Sequence, residues 1–95
     1  MKETSISEEI SAFLNAEEGE FAVKLRHFIK NRWGINTEIC RIFVKRWSAI
    51  EQSSDFIIPS FRIQINANLG ILSDTDFPED SEWAAMLEML KKKKF

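Results

Sequence analysis

The sequence has few residues suited to acid–base or nucleophilic catalysis near neutral pH. Its 95 residues include one histidine, His27, one cysteine, Cys40, and no tyrosine. The spacing of apolar residues puts His27 on the charged side of a predicted helix and Cys40 on the apolar side of a predicted strand, which is typical of a solvated imidazole and a buried thiol. No glycine-rich phosphate loop and no nucleophile elbow occurs. We therefore expect a protein that is not an enzyme, with carboxylates converging from distant positions as the weaker alternative.

The sequence also has few residues that could form a metal or cofactor site. One histidine and one cysteine are too few for a tetrahedral zinc site within one chain. The acidic segment 74–82 does not follow the EF-hand pattern, because Pro78 and Glu79 occupy its fifth and sixth positions, where the sixth requires glycine. The acids of this segment instead fit the start of a helix. The sequence predicts no metal and no cofactor.

The cysteine count and the distribution of apolar residues predict a cytoplasmic protein. A single Cys40 cannot form a disulfide within the chain. The first twenty residues contain six glutamates and no apolar signal region. No apolar run approaches the length of about 18 residues that a membrane span needs. We expect neither export nor a membrane partner.

The low content of glycine and proline favours an ordered chain. Three glycines and two prolines accompany 44% hydrophobic and 12% aromatic residues, a composition that supports a packed core. A chain of this length buries too little surface to form two cores. We expect one domain, comprising residues 1–95.

Three segments have apolar residues at helical spacing. They are Ile6, Ile10, Phe13 and Leu14; then Phe21, Leu25, Phe28, Ile29 and Trp33; and finally Trp83, Met86, Leu87 and Leu90. Gly34 is placed to end the second helix in the left-handed conformation. The sequence thus predicts two N-terminal helices and a C-terminal amphipathic helix.

Between these helices the period of the pattern changes to two. Residues 37–50 are predicted to form one strand, with Cys40, Ile42 and Val44 on its core face and Ile39, Arg41, Phe43, Lys45 and Trp47 on the other. Residues 61–69 alternate strictly and predict a second strand, which Gly70 is expected to bend or end. A short third strand at 56–58 or 71–72 is a further alternative, with Pro59 limiting the first of these to an edge. The fold class is α+β, with an antiparallel β-hairpin of two long strands.

The net charge of −2 conceals an uneven distribution. Residues 1–23 carry six acids and one base, for a net charge of −5. Residues 24–62 carry eight bases and three acids, for a net charge of +5. Residues 63–95 carry six acids and four bases, for a net charge of −2. The basic middle of the chain predicts either charge pairing within the fold or a surface for an anionic partner.

The basic middle contains the stretch RIFVKRW at residues 41–47, which interleaves cations with aromatic rings. Together with the polar face of the second strand it defines a candidate interaction surface, which comprises Arg41, Phe43, Lys45, Arg46, Trp47, Arg62 and Gln64. Three interpretations stay open. Phe43 and Trp47 pack beneath a helix; or the surface contacts a protein, including a second copy of the chain in a homodimer; or it stacks bases and neutralises phosphates. We expect a non-enzymatic protein-binding, accessory or regulatory domain, with a nucleic-acid-binding module as the alternative.

Overall fold

The computed structural model describes residues 6–51 and 58–93. Its elements, in chain order, are α1 (Ile6–Leu14), α2 (Glu18–Trp33), β1 (Thr37–Phe43), β2 (Arg46–Ala49), β3 (Phe61–Gln64), β4 (Leu69–Ser73) and α3 (Ser81–Leu90). The α+β class is confirmed, as are the two N-terminal helices, the antiparallel pairing of the strands and the C-terminal helix. None of the three helices in the described part of the chain has the length and apolar character that a membrane span requires.

The sheet has four strands, because a turn divides the segment 37–50 and a second turn separates 61–64 from 69–73. Each half is a hairpin, and β1 pairs with β4, so that the strand order is β2-β1-β4-β3 with every pairing antiparallel. The prediction of two uninterrupted strands is therefore wrong in number. Gly70 lies inside β4 and does not end a strand, and the alternative strand at 71–72 is part of β4. Of the alternative at 56–58, residues 56 and 57 lie outside the described residues.

The helices cover one face of the sheet. Ile39, Leu69 and Ile71 are fully buried on this face, in a cluster that also contains the apolar residues of all three helices. The predicted core face of residues 37–50 is corrected here: Ile39 belongs to the helix side, and Cys40, its neighbour, points to the opposite side of the sheet. The strand pattern alone misassigned the face, because both faces of β1 carry buried residues.

The C-terminus of α2 joins the other two helices. The guanidinium of Arg32 forms ion pairs with Glu9 of α1 and with Glu82 of α3. Gly34 adopts a left-handed φ of 73°, and its backbone N–H donates to the carbonyl of Lys30, which confirms its predicted role as the helix cap. The ion pairs of Arg32 thus connect the three helices, which share one hydrophobic core with the covered face of the sheet.

Asp80 and Trp33 connect the start of α3 to α2. The Oδ1 atom of Asp80 accepts a hydrogen bond of 2.7 Å from the backbone N–H of Trp83, and its Oδ2 atom accepts one of 2.9 Å from Nε1 of Trp33. The predicted capping role of the acidic segment is thus confirmed at Asp80. The helices lie on one side of the sheet, and within the described residues no helix covers the opposite face.

Candidate interaction surface

The structure divides the seven predicted surface residues between two faces. Cross-strand partners share a face, and Phe43 pairs with Arg46 while Ile42 pairs with Trp47. The side of the sheet that carries the helices therefore receives Arg41, Phe43 and Arg46, and the face without helices receives Trp47, Arg62 and Gln64, with Lys45 in the turn. The prediction that Phe43 and Trp47 share a face is wrong, because the chain reverses between them.

The reversal is a two-residue turn with an unusual backbone. Val44 and Lys45 have φ values of 47° and 71°. Hairpin turns with positive φ at both central residues favour asparagine and glycine, and positive φ at a β-branched residue such as valine is a strong outlier. Each strained residue costs on the order of 1–3 kcal/mol. The turn is therefore not built for maximal stability.

This turn is also the most exposed apolar part of the described residues. Phe43 is 70% exposed and Val44 is 83% exposed. Within the described ranges, no carboxylate forms an ion pair with Lys45 or Arg46. We name residues Phe43, Val44, Lys45 and Arg46 the β1–β2 tip. It presents two apolar side chains beside two cations.

Arg41 differs from the tip residues because it has a partner within the chain. Its Nη1 atom lies 3.5 Å from the carboxylate of Glu18 at the start of α2. This pair is half exposed and contributes little to stability. Arg41 therefore satisfies the expectation of internal charge pairing and is not part of the tip.

On the face without helices, Trp47 reaches from β2 across β1 to β4. A Cβ atom placed on Gly70 would lie 2.2 Å from Cζ3 of the indole, so that only glycine leaves room for the ring. The guanidinium carbon of Arg62, on β3, lies 5.5 Å from the indole centroid, in a cation–π arrangement. We name Trp47 and Arg62 the Trp47–Arg62 platform. The platform extends over all four strands: β2 and β3 supply Trp47 and Arg62, and the indole lies across β1 and on Gly70 of β4.

Cys40 lies beside Gly70 in the sheet and is 1% exposed. Burial, with a smaller contribution from the charge of Glu38, raises the pKa of the Cys40 thiol to about 11. The thiol is therefore protonated near neutral pH and is a poor nucleophile. His27, the single histidine, is exposed on α2.

Two shallow clefts adjoin the platform, with volumes of about 490 Å³ and about 550 Å³. Lys45, Trp47 and Arg62 line both of them. Ile42, Val44 and Ala67 add apolar surface to the first cleft, which Gln64 also lines; Pro59, Phe61 and Leu72 add it to the second, together with Ser60. No acidic residue of the described ranges lines either cleft. The surface thus combines cations with apolar walls.

Sequence reasoning missed two residues that shape this surface. Gly70 was expected to bend or end a strand, yet it provides the space for Trp47; an isolated glycine inside a strand pattern signals such a close approach. Val44 was expected in the core, yet it is exposed at the tip. No sequence signal indicates the turn at Val44, because neither of its central residues favours positive φ.

The described residues contain no group of three or more histidine, cysteine, aspartate or glutamate side chains arranged to hold a metal ion. The chemistry of the surface is that of cationic and apolar contact. Compared with protein-family models, with curated proteins and with solved structures, the chain has no match.

Proposed function

We propose that this protein is a non-enzymatic protein-binding domain of an accessory or regulatory kind, which acts in the cytoplasm and contacts its partner through the β1–β2 tip. The observation that carries the proposal is a strained turn that exposes Phe43 and Val44 beside two cations without acidic partners among the described residues. Both the strain and the exposure reduce the stability of the isolated chain. Contact with a partner buries the two apolar side chains and so offsets the cost of their exposure.

The composition of the tip suits a protein interface. Aromatic residues and arginine are enriched in interface cores, and a small number of such anchors carries most of the binding energy. Phe43 supplies a rigid apolar anchor, and Arg46, its cross-strand neighbour, supplies a cation. A second copy of the chain is one such partner, because β2 and β3 are the edge strands of the sheet.

Nucleic acid is the less favoured partner because of where the aromatic rings lie. Stacking of successive bases needs aromatic rings that are open on a common face. Phe43 and Trp47 lie on opposite faces, and Arg62 lies over the Trp47 ring. The residues that suggested base stacking are therefore not brought together.

Site-specific photocrosslinking in the native cell tests the proposal. A benzoylphenylalanine at position 44 is compared with the same residue at position 84, where Ala84 is exposed on α3. We expect one dominant crosslinked protein at position 44 and none at position 84. A crosslinked dimer of the chain identifies the partner as a second copy. Equal crosslinking at the two positions, or crosslinks to nucleic acid alone, refutes a protein-binding tip.

A further inference from the structure

Arg62 carries hydrogen-bonding capacity that the fold does not use. Its guanidinium has five N–H donors, and within the described residues none of them has a hydrogen-bond acceptor or an ion-pair partner. Its position is nevertheless defined, because it lies over the indole of Trp47, and the indole in turn lies on the backbone of Gly70. A guanidinium held on an aromatic face keeps its edge open for a planar acceptor.

The planar acceptor that best matches this edge is a carboxylate. Arginine binds carboxylates through two parallel N–H···O bonds, which are stronger and more specific than neutral hydrogen bonds. Lys45 provides a second cation at the same two clefts, and no acidic residue of the described ranges lines either cleft. Glu38 lies on the same face, two strands from Arg62 with Leu72 between them, but it is buried. The charge of the site is thus complementary to an acidic ligand.

The walls of the clefts require apolar groups beside the carboxylate. Ile42 and Val44 line one cleft and Leu72 lines the other, so that apolar surface flanks the two cations on both sides. An extended peptide of about six residues spans roughly 20 Å, which is enough to cross four strands that lie about 4.8 Å apart. A peptide in which acidic and apolar side chains alternate matches both features.

We propose that the Trp47–Arg62 platform binds an extended acidic segment of a protein partner, with one carboxylate on Arg62 and apolar side chains in the two clefts. This inference rests on the proposed function and names the chemistry of the partner. Two cations are fewer than the cluster of four to eight that anionic membranes require. The ring of Trp47 is already covered by Arg62, which disfavours a nucleobase as the ligand.

The probe is a labelled peptide of about six residues in which glutamate alternates with leucine, and its matched control carries glutamine in place of glutamate. Binding is measured by fluorescence anisotropy, and its position by the NMR signals of the Trp47 indole N–H and the Arg62 side-chain N–H. We expect both signals to shift with the acidic peptide and not with its control. We also expect affinity to fall as salt is added.

A pair of variants separates recognition by Arg62 from general attraction to positive charge. Arg62→Gln and Arg41→Gln each remove one positive charge from the sheet, but Arg41 lies on the opposite face and outside the β1–β2 tip. We expect Arg62→Gln to weaken binding about tenfold or more, since a charge-assisted hydrogen bond is lost. Arg41→Gln is expected to weaken it less than about threefold. Arg62→Lys keeps the charge but loses the planar pair of N–H donors, so it is expected to weaken binding as Arg62→Gln does.

Gly70→Ala provides an independent test that leaves every cation in place. The added Cβ displaces the indole and with it the support of Arg62, so that we expect affinity to fall about fivefold or more. Circular dichroism checks whether the Gly70→Ala variant is folded. If it is not folded, the arginine variants alone test the inference.

Three outcomes overturn this inference. They are the absence of shifts at Trp47 and Arg62, equal weakening by Arg62→Gln and Arg41→Gln, and tighter binding of an oligothymidine than of the acidic peptide. The proposed function fails separately, by the absence of a protein crosslink at position 44. A crosslinked partner that Arg62→Gln still captures fully leaves the protein-binding tip standing and refutes only the acidic ligand.

Discussion

The two hairpins of the sheet end close together but have opposite kinds of tip. The backbone N–H of Ile42 donates to the carbonyl of Asn68 over 2.8 Å, which places the turn at 65–68 beside the β1–β2 tip. At 65–68, Ile65 is 7% exposed and belongs to the core. At the β1–β2 tip, Phe43 and Val44 are exposed. Position at the end of the sheet therefore does not explain the difference.

The side chain of Asn66 explains the stability of the turn at 65–68. Its Oδ1 atom accepts a hydrogen bond of 2.8 Å from the backbone N–H of Asn68. Its Nδ2 atom donates to the carbonyls of Lys91 and Lys93, at 3.2 Å and 2.8 Å, where α3 ends. One turn thus serves the fold by joining a helix end, whereas the other leaves its side chains available for contact. The side chains of the β1–β2 tip are therefore the ones available to contact a partner.

Asn66→Ala is expected to have the largest effect on the free energy of unfolding. It removes the bond to Asn68 and both bonds to the end of α3, at about 1 kcal/mol each with partial replacement by water, for a loss of about 2 kcal/mol. Urea denaturation measures the loss. Asn68→Ala is the control and is expected to change stability by less than about 0.5 kcal/mol. Equal effects of the two substitutions contradict the assigned role of Asn66.

Cys40 is buried in the β1–β2 hairpin, in contrast to the exposed tip, and it makes the free energy of unfolding depend on pH. The pKa of Cys40 is raised to about 11 in the folded chain from an ordinary value of 9.0. The unfolded chain therefore loses this proton first as pH rises, and above about pH 9 the folded state is progressively disfavoured. We expect a contribution of up to about 1.4 kcal/mol per pH unit between these two pKa values, and none below them.

Urea denaturation at about pH 8 and at about pH 10.5 measures this contribution in the native chain and in Cys40→Ala. The variant lacks the thiol, so its stability is expected to decline less over this range. Parallel declines in the two chains show that the thiol is not buried as described.

Val44→Asn is expected to stabilise the protein by about 1 kcal/mol, because asparagine tolerates the positive φ of this turn better than a β-branched residue does. The same substitution removes an apolar side chain from the tip and is expected to reduce partner capture. Thermal denaturation, paired with the crosslinking assay at position 43, measures the two effects. A less stable variant contradicts the strain assigned to Val44.

Phe43→Ser is expected to have the smallest effect on stability, below about 0.5 kcal/mol, because its side chain is 70% exposed. It nevertheless is expected to reduce partner capture strongly, since an aromatic anchor is lost. The readouts are urea denaturation and crosslinking at position 44. Severe unfolding makes Phe43 a core residue and removes the contrast between the two tips.

The helices could be predicted because their signals are local. Each apolar stripe repeats at helical spacing, and Gly34 follows the second stripe where a left-handed cap is needed. The strands were located, but the two turns within them were not predicted. Val44 and Lys45 are not usual turn residues, and Asn66 and Asn68, which are, alternate with apolar residues as the polar face of a strand does. Alternation with a period of two continues through both turns and conceals them.

The residue types of the candidate surface were predictable, but their arrangement was not. The basic and aromatic stretch at 41–47 identified Trp47, and the polar face of the second strand identified Arg62, but the stretch also included Phe43 and Arg46, which lie on the opposite face. The face of a strand residue depends on the pairing register, and a displacement of one residue moves the side chain to the other face. Gly70 acquires its role only when β4 comes within reach of the indole.

By itself, the sequence determined the α+β class, the three helices, the two segments that contain strands and the basic, aromatic character of the middle of the chain. These properties depend on the spacing and chemistry of neighbouring residues. The tertiary structure alone decided that Trp47 and Arg62 meet, that Phe43 is separated from them and that one hairpin tip is anchored while the other is exposed. These contacts join residues that are distant in the chain, so strand pairing and side-chain packing determine them. The same packing balances local backbone strain against burial elsewhere in the fold.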